Sequence, residues 1–284
     1  MSKTAVITDT DASLPMELAK KYNIVQVPIN LQFEEQSFRA VYDIDDEQTF
    51  ARIDQTGKLP TTSAPSPGQF AQAYQQAFDS GYDEIICLTV SAEVSATYTA
   101  ALNAADQFPG KNISVVDTRT LTICQGYMVL AAAQALENGL AVKNAIAIAR
   151  DIGQRSHLYA ALTTTKYLAM SGRVGNLASG LATLLDVKPI LTIQNGKLEL
   201  LERVRAQKKA WGRIVELTVA VANGKPIEKL AIGHILALDA AKNIETLLRQ
   251  YLPCPDEILY TELTPGLSVH AGAGLVGICV VVGK

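Results

Sequence analysis

Short apolar runs alternate with amphipathic stretches along almost the whole chain of 284 residues. Residues 5–8, 84–90 and 113–117 read as buried strands. Residues 24–33 place Val25, Val27, Ile29, Leu31 and Phe33 at every second position, which predicts a strand with one buried face. Between these runs the spacing predicts helices over 14–22, 45–55, 67–80, 97–108, 124–137 and 142–154. The first is opened by Ser13 and Pro15, and the third gathers Phe70, Tyr74, Ala77 and Phe78 on one side. Strands alternating with helices predict βαβ units and a largely parallel sheet.

Beyond Ser156 the pattern restarts. A strand is expected over 158–162, two short helices within 166–185, and a hairpin of 189–194 with 198–204 turning at Asn195-Gly196. Helices over 206–222 and 240–251 and strands over 230–236, 257–263 and 276–282 complete it. The expected fold class is therefore α/β in two domains. Residues 1–158 form a mostly parallel sheet flanked by helices, and residues 159–284 form a mixed sheet with helices.

Composition narrows the function more than the fold. Apolar residues make up 48% of the chain and aromatics only 6%, a balance that suits buried strands packed on small-residue helices. The 25 basic and 28 acidic residues leave a formal charge of −3, so no bulk field draws in nucleic acid or an anionic membrane. No apolar run has the length for stable membrane insertion and no leader pattern opens the chain, so a cytoplasmic location is expected. Cys87, Cys124, Cys254 and Cys279 are far apart, and three of them sit in apolar runs. They read as buried hydrophobes rather than as disulfides or metal ligands, and no metal site is expected. A glycine-rich phosphate loop followed by Lys-Ser/Thr is also missing, so ATP chemistry is not expected in this chain.

Two hydroxyl-rich segments carry the candidate chemistry. Pro60-Thr61-Thr62-Ser63-Ala64-Pro65-Ser66-Pro67-Gly68 places hydroxyls between prolines, which hold the chain extended and stiff just before a helix. Ser91-Ala92-Glu93-Val94-Ser95-Ala96-Thr97-Tyr98 follows a predicted strand and opens another helix, where backbone N–H groups and the positive dipole end favour an anion. Read by themselves these segments are also compatible with an ordinary turn and a simple N-cap. His270 alone reads as a hydrogen-bonded structural histidine sooner than as a functional one, Arg173 as a helix C-cap, and the cluster of Arg203, Arg205, Lys208, Lys209 and Arg213 as a solvated face.

Eight short motifs in order change that balance. Ile7-Thr8-Asp9-Thr10, the Thr62 to Gly68 strip, Ser95-Ala96-Thr97-Tyr98, Val116-Asp117-Thr118, Ser171-Gly172-Arg173, the Leu185 to Leu191 segment, Arg205-Ala206-Gln207-Lys208-Lys209-Ala210 and His270-Ala271-Gly272-Ala273-Gly274 together resemble the DegV family of bacterial fatty-acid-binding proteins, which includes the binding subunits of fatty acid kinase. The resemblance implies two α/β domains with a long-chain fatty acid held between them. It also implies a carrier without catalytic machinery or cofactor, working with a separate kinase that makes the acyl phosphate. It assigns the head group to Thr62, Ser63, Ser95, Thr97, Arg173 and His270, and head-group handling or partner docking to Arg205. This chain departs from the family pattern at Ala96, where a glycine is usual, and at Asp117-Thr118 and Gly272-Ala273-Gly274. Small side chains around 100–105 and 131–135 are expected to leave room for the acyl tail.

A second reading competes. Asp9-Thr10-Asp11 after the first strand is similar to the opening motif of haloacid-dehalogenase-type phosphatases, with Asp9 as nucleophile and Asp11 as general acid.

Overall fold

The computed structural model describes residues 3–171 and 187–284. The chain runs through β1 (Thr4–Asp9), α1 (Met16–Lys21), β2 (Ile24–Val27), β3 (Asn30–Phe33), β4 (Gln36–Arg39), α2 (Asp46–Thr56), β5 (Thr61–Ser63), α3 (Pro67–Asp79), β6 (Glu84–Thr89), α4 (Thr97–Ala105), β7 (Asn112–Asp117), α5 (Thr122–Glu137) and α6 (Val142–Arg155). It continues through β8 (Ser156–Ala161), α7 (Lys166–Ser171), β9 (Lys188–Gln194), β10 (Lys197–Val204), α8 (Gln207–Ala222), β11 (Ile227–His234), α9 (Leu238–Tyr251), β12 (Leu259–Glu262), α10 (Pro265–Ala271) and β13 (Val276–Val282). The second helix expected within 166–185 falls outside the described residues.

Two compact units emerge. One comprises residues 1–43 and 62–154, the other residues 44–61 and 155–284. A single cut near 158 is the simplest reading of the sequence, but the stretch carrying α2 packs with the later part of the chain and not with its sequence neighbours.

The first unit is built on a parallel sheet of order β2-β1-β6-β7, with a small sheet of order β4-β3-β5 beside it in sequence. Phe70 and Tyr74 of α3 pack with Ala101 and Ala104 of α4 and with Ile7, Ile85 and Cys87 of the sheet. The Tyr74 hydroxyl donates to the Ala101 carbonyl at 3.2 Å, and burial pushes that phenol far above its ordinary pKa. The α4 alanines are thus covered by aromatic rings, and their small size serves close packing of α3 on α4 rather than a tail cavity. The expected continuous strand over 24–33 breaks at Pro28, which has no N–H for a ladder, into β2 and β3 in different sheets. Within β2, Val25 is exposed while Gln26 is buried and donates to the Leu14 carbonyl at 3.1 Å.

The second unit carries a mixed sheet of order β10-β9-β8-β13-β11-β12, in which only the β11–β12 pair is parallel. Its apolar core joins Ile214 and Val215 of α8, Ile244 and Leu248 of α9 and the inward residues of β11 and β13. Cys87, which is buried, and Cys254 keep free thiols.

Candidate functional site

In a parallel sheet of order β2-β1-β6-β7 the chain moves to one side after β1 and to the other afterwards, so the crevice outside the carboxyl ends of β1 and β6 is where a ligand is expected. Three loops meet that edge of the sheet: the one after β1, the one after β6 that holds Ser91 to Ala96, and the one after β7.

Their anchor is Asp9, the last residue of β1, which is fully buried. Its carboxylate accepts from Val90 N–H at 2.8 Å, Asp11 N–H at 3.0 Å and Gln125 Nε2 at 3.2 Å. Three donors and, among the described residues, no acceptor at hydrogen-bond distance favour the ionised form. Burial nonetheless outweighs these bonds and pushes the carboxyl up to about 6. Gln125 also donates to Thr8 Oγ1 at 3.0 Å, and Thr8 Oγ1 donates to the Leu88 carbonyl at 2.7 Å. Gln125 reaches this position because Gly126 lets α5 pass close beneath the β1 loop; a Cβ on Gly126 would lie 2.9 Å from the Ala12 carbonyl oxygen. The β7 loop is tied in by Thr118 Oγ1, which donates to the Thr89 carbonyl at 2.8 Å, and by Ser91 N–H donating to the Thr120 carbonyl at 2.9 Å.

On this frame Ser95 and Thr97 come together. Their hydroxyl oxygens lie 2.8 Å apart, and Ser95 Oγ also accepts Thr97 N–H at 3.3 Å. Ala96, not Ser95, is the N-cap of α4 and supplies no side-chain cap. Two hydroxyls carry two protons and their mutual bond uses one, so the second O–H is left to point at an outside acceptor. Thr97 is fully buried and Ser95 half-buried, so Ser95 is the more accessible of the two hydroxyls.

The other expected residues are spread over several elements. Thr62 and Ser63 end β5 on the small sheet, Thr62 half-buried and Ser63 exposed. Ser66, from the same strip, is used otherwise: it accepts Gln69 N–H at 3.2 Å while its own N–H donates to Gln69 Oε1 at 2.9 Å, a reciprocal cap on α3. In the second unit His270 occupies the last turn of α10, a helix that the sequence reading leaves as loop. The turn that follows fits only glycine at two places. Gly272 has φ +88° and its missing Cβ would lie 2.3 Å from Tyr167 Cδ2; Gly274 has φ +84° and would meet Thr163 Cγ2 at 2.7 Å. Arg205 is exposed in the turn between β10 and α8, with Lys208 and Lys209 also exposed. Arg213 of the same basic cluster is committed to Glu202 at 2.8 Å and Glu216 at 2.7 Å. Arg173 lies outside the described residues.

Gln125 was missed by sequence reasoning. Its signal is a lone amide inside the apolar run Ile123-Cys124-Gln125-Gly126-Tyr127-Met128.

The phosphatase reading fails on the same geometry. A nucleophilic carboxylate must reach substrate, but both oxygens of Asp9 are bound inside the protein, and Asp11 is buried as well. Among the described residues no group of three His, Cys, Asp or Glu side chains gathers as a metal site, and no helix is long and apolar enough to cross a membrane.

Comparison with known proteins agrees with this frame. A family model described as "Uncharacterised protein, DegV family" matches residues 3–283. A DegV domain-containing protein of Streptomyces coelicolor is 32% identical over 276 residues, covering 97% of each chain. Among solved structures, one described as fatty acid binding of a DegV family protein from Thermus thermophilus superposes with a TM-score of 0.91 at 29% identity, covering 99% of both chains. Another, described as DegV, a fatty acid binding protein from Bacillus subtilis, gives 0.88 at 28% identity over the full length of both.

Proposed function

Because the chain belongs to the DegV family, we propose that it binds a long-chain fatty acid and carries it with the carboxylate met by hydroxyl groups. The supporting observation is the Ser95–Thr97 pair, whose uncommitted O–H stands at the carboxyl edge of a parallel sheet, beside its switch point. Removing a carboxylate from water costs several kcal/mol unless directed donors replace the lost hydration. Ser95 supplies one such donor, and Thr62, Ser63, Arg173 and His270 are the further head-group residues of this reading. The alkyl tail provides most of the affinity: at ~0.8 kcal/mol per buried methylene, roughly 14 methylenes contribute about 11 kcal/mol before ordering and association costs.

The chain carries no catalytic machinery of its own in this reading. It works in the cytoplasm and presents the carboxylate to a separate kinase for acyl-phosphate formation. Arg205, with Lys208 and Lys209 beside it, forms an exposed basic strip suited to an acidic or phosphate-bearing partner surface.

Ser95→Ala tests the head-group assignment. Loss of one charge-assisted hydrogen bond is expected to weaken oleate binding about tenfold, with the far-ultraviolet spectrum unchanged. Calorimetric titration with oleate at neutral pH reads this directly, and an unchanged affinity removes Ser95 from the site.

A further inference from the structure

Asp46 lies in α2, the helix that packs within the second unit although its sequence neighbours on both sides belong to the first. It is not needed as a cap, because Asp45 caps α2 through a reciprocal box with Gln48. Its side chain instead points inward and is only 2% exposed. One carboxyl oxygen makes a short hydrogen bond with Ser268 Oγ of α10, and the other has no hydrogen-bond partner among the described residues. Ser268 Oγ also lies 3.1 Å from the Thr264 carbonyl oxygen.

Proton counting makes this arrangement specific. Ser268 has one hydroxyl hydrogen, and both of its oxygen neighbours are acceptors if Asp46 is ionised. An ionised Asp46 would also be a buried charge with a single hydrogen bond and no cation. A protonated Asp46 resolves both problems, since it donates to Ser268 Oγ while Ser268 donates to the Thr264 carbonyl. The titratable groups on the elements around it are Asp45 on its own cap, His270 on α10, Lys166 and Tyr167 on α7, and Glu262 at the end of β12. Burial, together with Glu262 and Asp45, pushes the Asp46 carboxyl up to about 7 against the opposing Ser268 bond.

The same face of α2 touches the His270 turn again one helical turn later. Phe50 packs edge-on against Tyr167 with ring centroids 5.9 Å apart, and Tyr167 is the ring against which Gly272 lies. We propose that protonated Asp46 and Ser268 form a latch between α2 and α10 that positions His270, and that deprotonation opens it. The role of His270 toward a fatty-acid carboxylate rests on the function proposed above; the latch itself does not.

The sign follows from linkage. A carboxyl whose folded pKa is raised stabilises the closed latch at low pH and loses that contribution as pH rises through about 7. In the ligand-free full chain with carboxyl-labelled aspartate, Asp46 is expected to titrate near neutrality, and the backbone amide resonances of Ser268 and Val269, beside His270, are expected to carry a component with the same midpoint. Asp46→Asn keeps shape and hydrogen bond without the titration, so that component should vanish. Ser268→Ala removes the acceptor of the protonated carboxyl, so the coupling of the His270 turn to the Asp46 titration should be lost in that variant as well. Oleate affinity of the wild type is expected to fall about tenfold between pH 6 and pH 9 relative to Asp46→Asn, which cancels the titration of oleate itself. An Asp46 that titrates in the ordinary carboxylate range, or a Ser268 and Val269 amide response unaltered by Asp46→Asn, overturns the latch. Failure of every variant to bind oleate, with the resonance behaviour as expected, counts against the fatty-acid reading and leaves the latch standing.

Discussion

Replacing Asp9 with alanine is expected to destabilise the protein by about 3–5 kcal/mol, the range seen when one partner of a buried charged network is removed. The change strips the acceptor from Val90 N–H, Asp11 N–H and Gln125 Nε2 at once, and none of these buried donors faces water. Each unsatisfied donor costs about 1–3 kcal/mol, partly offset because a costly buried charge disappears with it. Asp9→Asn keeps the shape but turns an amide N–H toward another N–H, so a smaller loss of about 1–3 kcal/mol is expected. Guanidinium unfolding at neutral pH measures both. A loss under 1 kcal/mol for alanine would show that the loops after β1 and β6 do not depend on this carboxylate.

Gly272→Ala is expected to cost about 2–4 kcal/mol and to weaken oleate binding through the displaced His270 turn. Two independent penalties act there. The backbone has φ +88°, which a side chain disfavours, and the new methyl would overlap the Tyr167 ring, which is itself held by Phe50. The overlap part is separable: Tyr167→Ala should recover some of the loss, leaving only the backbone strain. Thermal unfolding of the two single variants and the double variant gives the coupling, and strict additivity would show that the ring yields without cost.

How much of this was legible in the sequence depends on the range of the interactions. Strands and most helices follow from local periodicity, as at Glu84–Thr89 and Pro67–Asp79. The hairpin at Asn195-Gly196 follows from turn chemistry, and both turn residues have positive φ. Where one residue overrides a pattern, the reading slips: Pro28 splits a ten-residue alternation into strands of two different sheets. Chain-distant packing left no local trace. Nothing in residues 44–61 announces that they fold with residues 155–284, because the contacts responsible, Asp46 with Ser268 and Phe50 with Tyr167, join positions far apart in the chain.

The candidate site divides the same way. The Ser95–Thr97 pair was visible as a hydroxyl turn after a strand, and the structure adds that the two oxygens lie within hydrogen-bond distance of each other. Ser66 belongs to the same strip of hydroxyls, yet a glutamine three positions later makes it a helix cap. Asp9 was visible as a motif residue, but its role as an acceptor for three donors needed the positions of Val90 and Gln125. Of the alanines read as room for a tail, Ala101 and Ala104 share a core cluster with Phe70 and Tyr74.

The most direct test is to extract recombinant full-length protein with organic solvent and identify the lipid by mass spectrometry, followed by titration of the stripped protein with oleate. The account predicts a long-chain fatty acid in near-stoichiometric amount, and saturable rebinding after stripping. A lipid-free preparation that also fails to take up added oleate would contradict it.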